Sequence, residues 1–265
     1  MRKKSILVVA WAIAMVQPPL AAQQANAQAR AHERAERVKS ITEQLKIRSA
    51  EDYQRYTPQF RDKLTDEVRQ LLKAQVLDSL AERESDVSLL REQLKTFLAD
   101  PIWPEHSGAP YVIEATLVGV PVKVAAFELI RGGAGAPETK IFIQGFRKVG
   151  ANWEFASETG DDLDGHGLFL MELKSPRANE LWLLAYGVKT GSNILSLRMR
   201  VYAFDGERFT TLLSPPDRPY GQVQVEGDQI VVRSVAYDAN KRRRTERYWL
   251  SMSGVFLLTS TLDGE

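Results

Sequence analysis

The sequence predicts an α+β protein in which N-terminal helices precede a large antiparallel all-β domain. Three observations lead there. Up to about residue 100 the apolar residues recur every three to five positions, the spacing of a helix face. Beyond Asp100-Pro101 they alternate with polar residues, the period of a strand. Glycine turns punctuate this second part, separating short runs.

The chain opens with a leader-like segment. Arg2-Lys3-Lys4 is basic, residues 6–16 are apolar, and Ala25-Asn26-Ala27 is small. The apolar run of 11 residues ends at Gln17-Pro18-Pro19. A membrane-spanning helix needs roughly 20 apolar residues. Residues 1–27 therefore read as a cleaved secretory signal, with cleavage after Ala27 or Ala29, and the protein is expected to be exported to the periplasm or cell surface. No later segment is long and apolar enough to span a bilayer. The chain has no cysteine, so neither a lipobox nor a disulfide can form, and core burial alone must hold the domain.

The formal charge of +1 includes the three basic residues of the leader; without them 32 basic residues face 34 acidic ones. A nearly neutral chain exerts no whole-molecule pull on nucleic acid or anionic lipid. Hydrophobic content of 44% and charged content of 26% are ordinary for a globular protein.

Residues 28–100 form the helical region. Ser40-Ile41-Thr42-Glu43 fits a capping box, and Ser49-Ala50-Glu51-Asp52 fits a second helix start with acidic groups at the positive end of the dipole. Thr57-Pro58 reads as N-cap and first helical residue. Leu64, Val68, Leu71, Leu72, Val76 and Leu80 then form a stripe, which Val87, Leu90, Leu94 and Phe97 resume after a lapse at 82–86. Ser85 is a candidate cap for that second part. The stripe is long enough to consider a coiled coil, but its break favours packing on the β domain or on a partner helix.

Residues 101–265 form the β domain. Leu197, Met199, Val201 and Ala203 alternate with Arg198, Arg200, Tyr202 and Phe204, and Val223 and Val225 precede the hairpin signal Gly227-Asp228, with Ile230 and Val232 after it. A weak repeat runs through the domain: strand, glycine turn, aromatic strand at 146–153, 202–209 and 249–256, with four candidate strands in each interval. The leading expectation is a long meander folded into a sandwich or barrel. The second is a propeller-like stack of four-stranded units, since units of roughly 40–50 residues with four strands each resemble blades; three units cannot close a ring.

Candidate sites are few. Asp162 and Asp164 alternate before Gly165, as carboxylates do in calcium loops, but position 12 of a loop that starts at Asp162 is Leu173, so an EF-hand fails and only a looser calcium turn remains. His166, beside them, is an acid/base candidate. His32 and His106 sit in such different contexts that a three-histidine zinc site is not expected. Asn240-Lys241-Arg242-Arg243-Arg244 places a basic run at a hairpin tip, able to meet lipid phosphate, an anionic cell-wall polymer or an acidic partner. Gly132-Gly133-Ala134-Gly135 looks like a nucleotide loop but is followed by Pro137 and a strand-like run rather than a helix, so it reads as a hairpin loop. Trp103, Trp153, Trp182 and Trp249 are suited to stacking sugars, but their apolar neighbours favour core packing. There is no G-x-S-x-G elbow and no cysteine nucleophile.

These readings favour a non-catalytic binding or scaffolding module that meets an envelope protein or polymer. Two alternatives stand beside it: a hydrolase acting on envelope polymer through Asp162 and His166, and a calcium-stabilised β module. No other cofactor and no nucleic-acid partner are expected.

Overall fold

The computed structural model describes residues 20–47, 49–82, 86–98, 110–133, 138–160, 163–190, 194–236 and 242–262. Four helices come first: α1 (Leu20–Leu45), α2 (Ala50–Arg55), α3 (Pro58–Glu82) and α4 (Val87–Leu98). The short strand β1 (Lys46–Ile47) separates α1 from α2. No helix among the described residues is long and apolar enough to cross a membrane.

The helix starts are chemical. Ser49 accepts from the Asp52 amide while Asp52 accepts from the Ser49 amide, a reciprocal box ahead of α2. Thr57 accepts from the Phe60 amide, with Pro58 opening α3. The cap of α4 is Asp86, whose Oδ1 accepts from Ser88 and Leu89; Ser85 lies outside the described residues. The expected cap at Ser40 is corrected: Ser40 sits inside α1, which runs on because Val38, Ile41 and Leu45 continue one buried face through it. α1 also runs through the expected cleavage positions Ala27 and Ala29.

The strands divide into three sheets, each built from four consecutive antiparallel strands. Sheet 1 holds β2 (Tyr111–Leu117), β3 (Val120–Gly133), β4 (Glu138–Val149) and β5 (Asn152–Glu158). Sheet 2 holds β6 (His166–Leu173), β7 (Leu181–Thr190), β8 (Leu195–Phe204) and β9 (Phe209–Leu213). After the two-residue β10 (Arg218–Pro219), which pairs with β8, sheet 3 holds β11 (Gln222–Glu226), β12 (Gln229–Val235), β13 (Arg243–Ser251) and β14 (Gly254–Leu262). One pairing was not foreseen. β1 lies parallel to the end of β3, Lys46 opposite Gly132 and Ile47 opposite Gly133, so these two glycines are strand rather than loop.

The molecule is a pile of layers with three apolar cores between them. The first core joins α1, α3 and α4 to one face of sheet 1 through Phe127, Phe142 and Phe146. The second joins the other face of sheet 1 to sheet 2, and the third joins sheet 2 to sheet 3. Sheet 2 is therefore covered on both sides. Along β8, Tyr202 and Phe204 face sheet 1 while Met199, Val201 and Ala203 face sheet 3. The single folded meander thus gives way to the second expected arrangement, a stack of four-stranded units.

The units repeat in detail. In the last hairpin of each sheet the register slips by one residue, leaving Ala156, Leu212 and Leu258 as bulged residues on β5, β9 and β14. The pair just before each slip is Phe146 with Phe155, Tyr202 with Thr211, and Tyr248 with Leu257. Phe146, Tyr202 and Tyr248 are all buried, and each points toward the preceding layer. The stacking is head to tail. Aligned on the bulges, Gly150 and Gly206 occupy one turn position and Met252 occupies it in sheet 3; Gly254 lies two residues beyond.

Candidate functional site

Head-to-tail stacking gives every sheet a front, which packs on the layer before it, and a back, which receives the next. The residue just before each buried aromatic belongs to the back: Gly145, Val201 and Arg247. A Cβ on Gly145 would stand 2.6 Å from the ring of Phe204, so the front of sheet 2 presses on the backbone there. Val201 is fully buried against sheet 3. In sheet 3 the same slot holds an arginine, and no described layer covers it.

The back of sheet 3 is the candidate site. Ile230, Val232, Tyr248 and Leu250 fill the core beneath it, so the alternate residues face out. Cross-strand partners define that face: Gln229 with Trp249, Val231 with Arg247, Arg233 with Thr245, and Val235 with Arg243. Glu226, on β11, ties two of the cations, accepting from Arg247 at 3.0 Å and Arg233 at 3.3 Å. The Arg247 hydrogen bond holds the Glu226 carboxyl below its ordinary range, with Arg233 adding to it. Arg233 also donates to Gln224.

Trp249 marks one corner. It is 44% exposed, and its indole N–H donates to Asp228 at 3.0 Å. Its cross-strand partner Phe256 is 48% exposed. Beside them is an open cleft of about 480 Å³, lined by Trp249, Asp228, Lys174, Ser175, Met252 and Ser253 among others. Arg177 fastens its rim, donating to the Met252 carbonyl at 2.7 Å and pairing with Glu180. Core packing, expected of the tryptophans, holds for Trp182, which is fully buried, but not for Trp249. Trp103 lies outside the described residues.

The residues singled out by sequence fall in two places. Asp164 sits at the opposite end of the sheets, in the segment leading into β6. Its carboxylate pairs with Arg198 and, at 3.6 Å, with Lys189. Arg198 also grips Asp217 through two hydrogen bonds of 2.7 and 2.6 Å, which lower the Asp217 carboxyl below its usual range. Close backbone approach brings Asp164 there. A Cβ on Gly165 would lie 3.1 Å from the Gly187 carbonyl carbon, and Gly187 is the cross-strand partner of Arg198. Asp162, its proposed companion, lies outside the described residues. Among the described residues no group of three or more histidine, aspartate or glutamate side chains is placed to hold a metal ion.

His166 opens β6, with Nδ1 2.6 Å from the Thr139 hydroxyl. The adjoining bulge is clamped by Glu128, which accepts from the amides of Gly167 and Leu168 at 3.1 and 3.0 Å. Burial pushes the Glu128 carboxyl up, and these two amides oppose the shift.

The basic run is split by the strand period. Lys241 lies outside the described residues. Arg242 is half-buried at the neck of the hairpin, its carbonyl accepting from Ala236 at 2.8 Å. Arg243 and Arg244 belong to β13 rather than to the turn, and they point to opposite faces. Arg243 is exposed and joins the row with Thr245, Arg247 and Trp249.

Comparison with protein-family models, curated proteins and solved structures finds no match.

Proposed function

We propose that this chain is an exported, non-catalytic binding or scaffolding module whose contact surface is the back of sheet 3. One observation carries the reading. The slot that receives the next layer in sheets 1 and 2 bears Arg247 in sheet 3, and an exposed tryptophan fixed by its N–H to Asp228 stands beside it. An aromatic held in one orientation loses little entropy when a partner covers it. Aromatic and arginine side chains are also the types that dominate binding energy at interfaces. The leader-like residues 1–27 support a partner in the envelope.

The test is retention of envelope components on the immobilised protein. Trp249→Ala and Arg247→Ala should each release most of what the parent chain holds, with circular dichroism unchanged. Retention of the same components by both variants sinks this assignment. Localisation is tested separately: recovery of the chain from the cytoplasm with its N-terminus intact would overturn export.

A further inference from the structure

We infer that the row Arg243–Thr245–Arg247–Trp249 along β13, with Arg233 beside it on β12, binds an acidic polysaccharide. The inference rests on the reading of this face as the contact surface and names the chemistry it takes. Alternate residues of a strand repeat every ~6.6 Å on one face, and neighbouring strands stand ~4.8 Å apart. Arg243 and Arg247 are thus spaced by about 13 Å, Arg233 lies to the side between them opposite Thr245, and Trp249 follows Arg247 by about 7 Å. The result is an exposed row in which Glu226 bridges two of the cations, Arg243 lies further along, and an aromatic stands at one end.

That pattern fits a polymer with a carboxylate on its rings, each ring also presenting an apolar face. A sugar ring can stack on the indole, and carboxylates further along meet guanidinium groups, which bind them bidentately. The rim of the adjoining cleft adds a hydroxyl and an ammonium donor from Ser253 and Lys174. Duplex nucleic acid fits less well. Its charge density draws on many cations at once, whereas here three arginines stand against Glu226 and, at the corner, Asp228, on a chain that carries no net positive field once the leader is removed.

Calorimetric titration of the protein with oligogalacturonate tests this, with dextran as the neutral polymer and single-stranded DNA as the other polyanion. Oligogalacturonate should bind, and added salt should weaken it. Trp249→Ala should weaken it by about tenfold through lost stacking. Arg243→Ala should weaken it and flatten the salt dependence. Both residues are exposed, so matched melting curves will show that the variants fold. The inference is overturned if no oligogalacturonate binds, if dextran binds equally, if DNA binds more tightly, or if both folded variants bind like the parent. If none of these probes binds while Trp249-dependent retention of envelope components persists, the contact surface stands and the sugar assignment falls.

Discussion

Sheet 1 hides its front under three helices, through Phe127, Phe142 and Phe146, whereas sheet 3 turns Arg233, Arg247 and Trp249 to water. Both are end layers of one stack, and they end it by different means. At the first end apolar surface is covered by a different kind of element. At the last end charged and amphipathic side chains fill most of the outward slots, and Val231 among them is fully buried without a further layer. Stacked repeats generally require such a polar outer face on their terminal units. A layer interface is therefore specified residue by residue, and one strand can serve as core or as surface according to what fills its outward slots.

The two tryptophans of sheets 2 and 3 give the strongest way to break that contrast. Trp182, fully buried in the core between these sheets and donating its N–H to Glu180, should cost about 3–5 kcal/mol when truncated to alanine, read from urea denaturation. A cost near that of a surface residue would mean that sheets 2 and 3 do not share a core. Glu246 comes next. It holds Arg218 through bonds of 2.5 and 2.8 Å at the foot of sheet 3, and both side chains are largely shielded from water. Glu246→Ala should lose about 3 kcal/mol by stranding the guanidinium. Gly145→Ala sharpens the comparison at the other interface. The added methyl must displace the Phe204 ring, and the expected loss is about 1–3 kcal/mol. No loss would show that sheets 1 and 2 are not in contact at that slot.

The pH response is smaller. Asp217 has a carboxyl lowered by the Arg198 hydrogen bond, so its contribution is present above the unfolded value near ~3.9 and fades as pH falls through the lower, folded value. Asp217→Asn should be less stable than the parent at neutral pH, with the gap closing in acid. Glu128 acts in the opposite sense: burial raises its carboxyl, so the folded state binds a proton more readily and this group's contribution weakens as pH climbs through its folded value. Smallest of all is Trp249→Ala, expected to change stability by under about 0.5 kcal/mol because the side chain is already exposed. A large loss there would mean that the back of sheet 3 is structural.

Much of the architecture is legible in sequence because its causes are local. Glycine turns with positive φ at Gly150, Gly206 and Gly227, the Thr57-Pro58 helix start and the alternation through β8 each depend on a few neighbouring residues. Ser40 was open to misreading because a helix interior and a helix start can share the same four residues; the stripe Val38, Ile41, Leu45 was the signal that decides. The site was legible only in part. Arg243, Arg247 and Trp249 share one parity along the strand, which marks them as one face, but whether that face meets water depends on what the chain packs against it. The ion pair of Asp164 was invisible in another way. Its partner Arg198 is distant in sequence and arrives only because Gly165 and Gly187 let two backbones touch.

The slipped register of each closing hairpin also bears on what the molecule avoids. β5, β9 and β14 lie at the borders of their sheets, as does β6, whose pairing with β7 is likewise irregular. A border that bends offers a poor template to a straight strand from another molecule. A protein made of stacked β-layers courts fibre formation both sideways and lengthwise. Here the kinks discourage the first route and the arginines of the last layer the second.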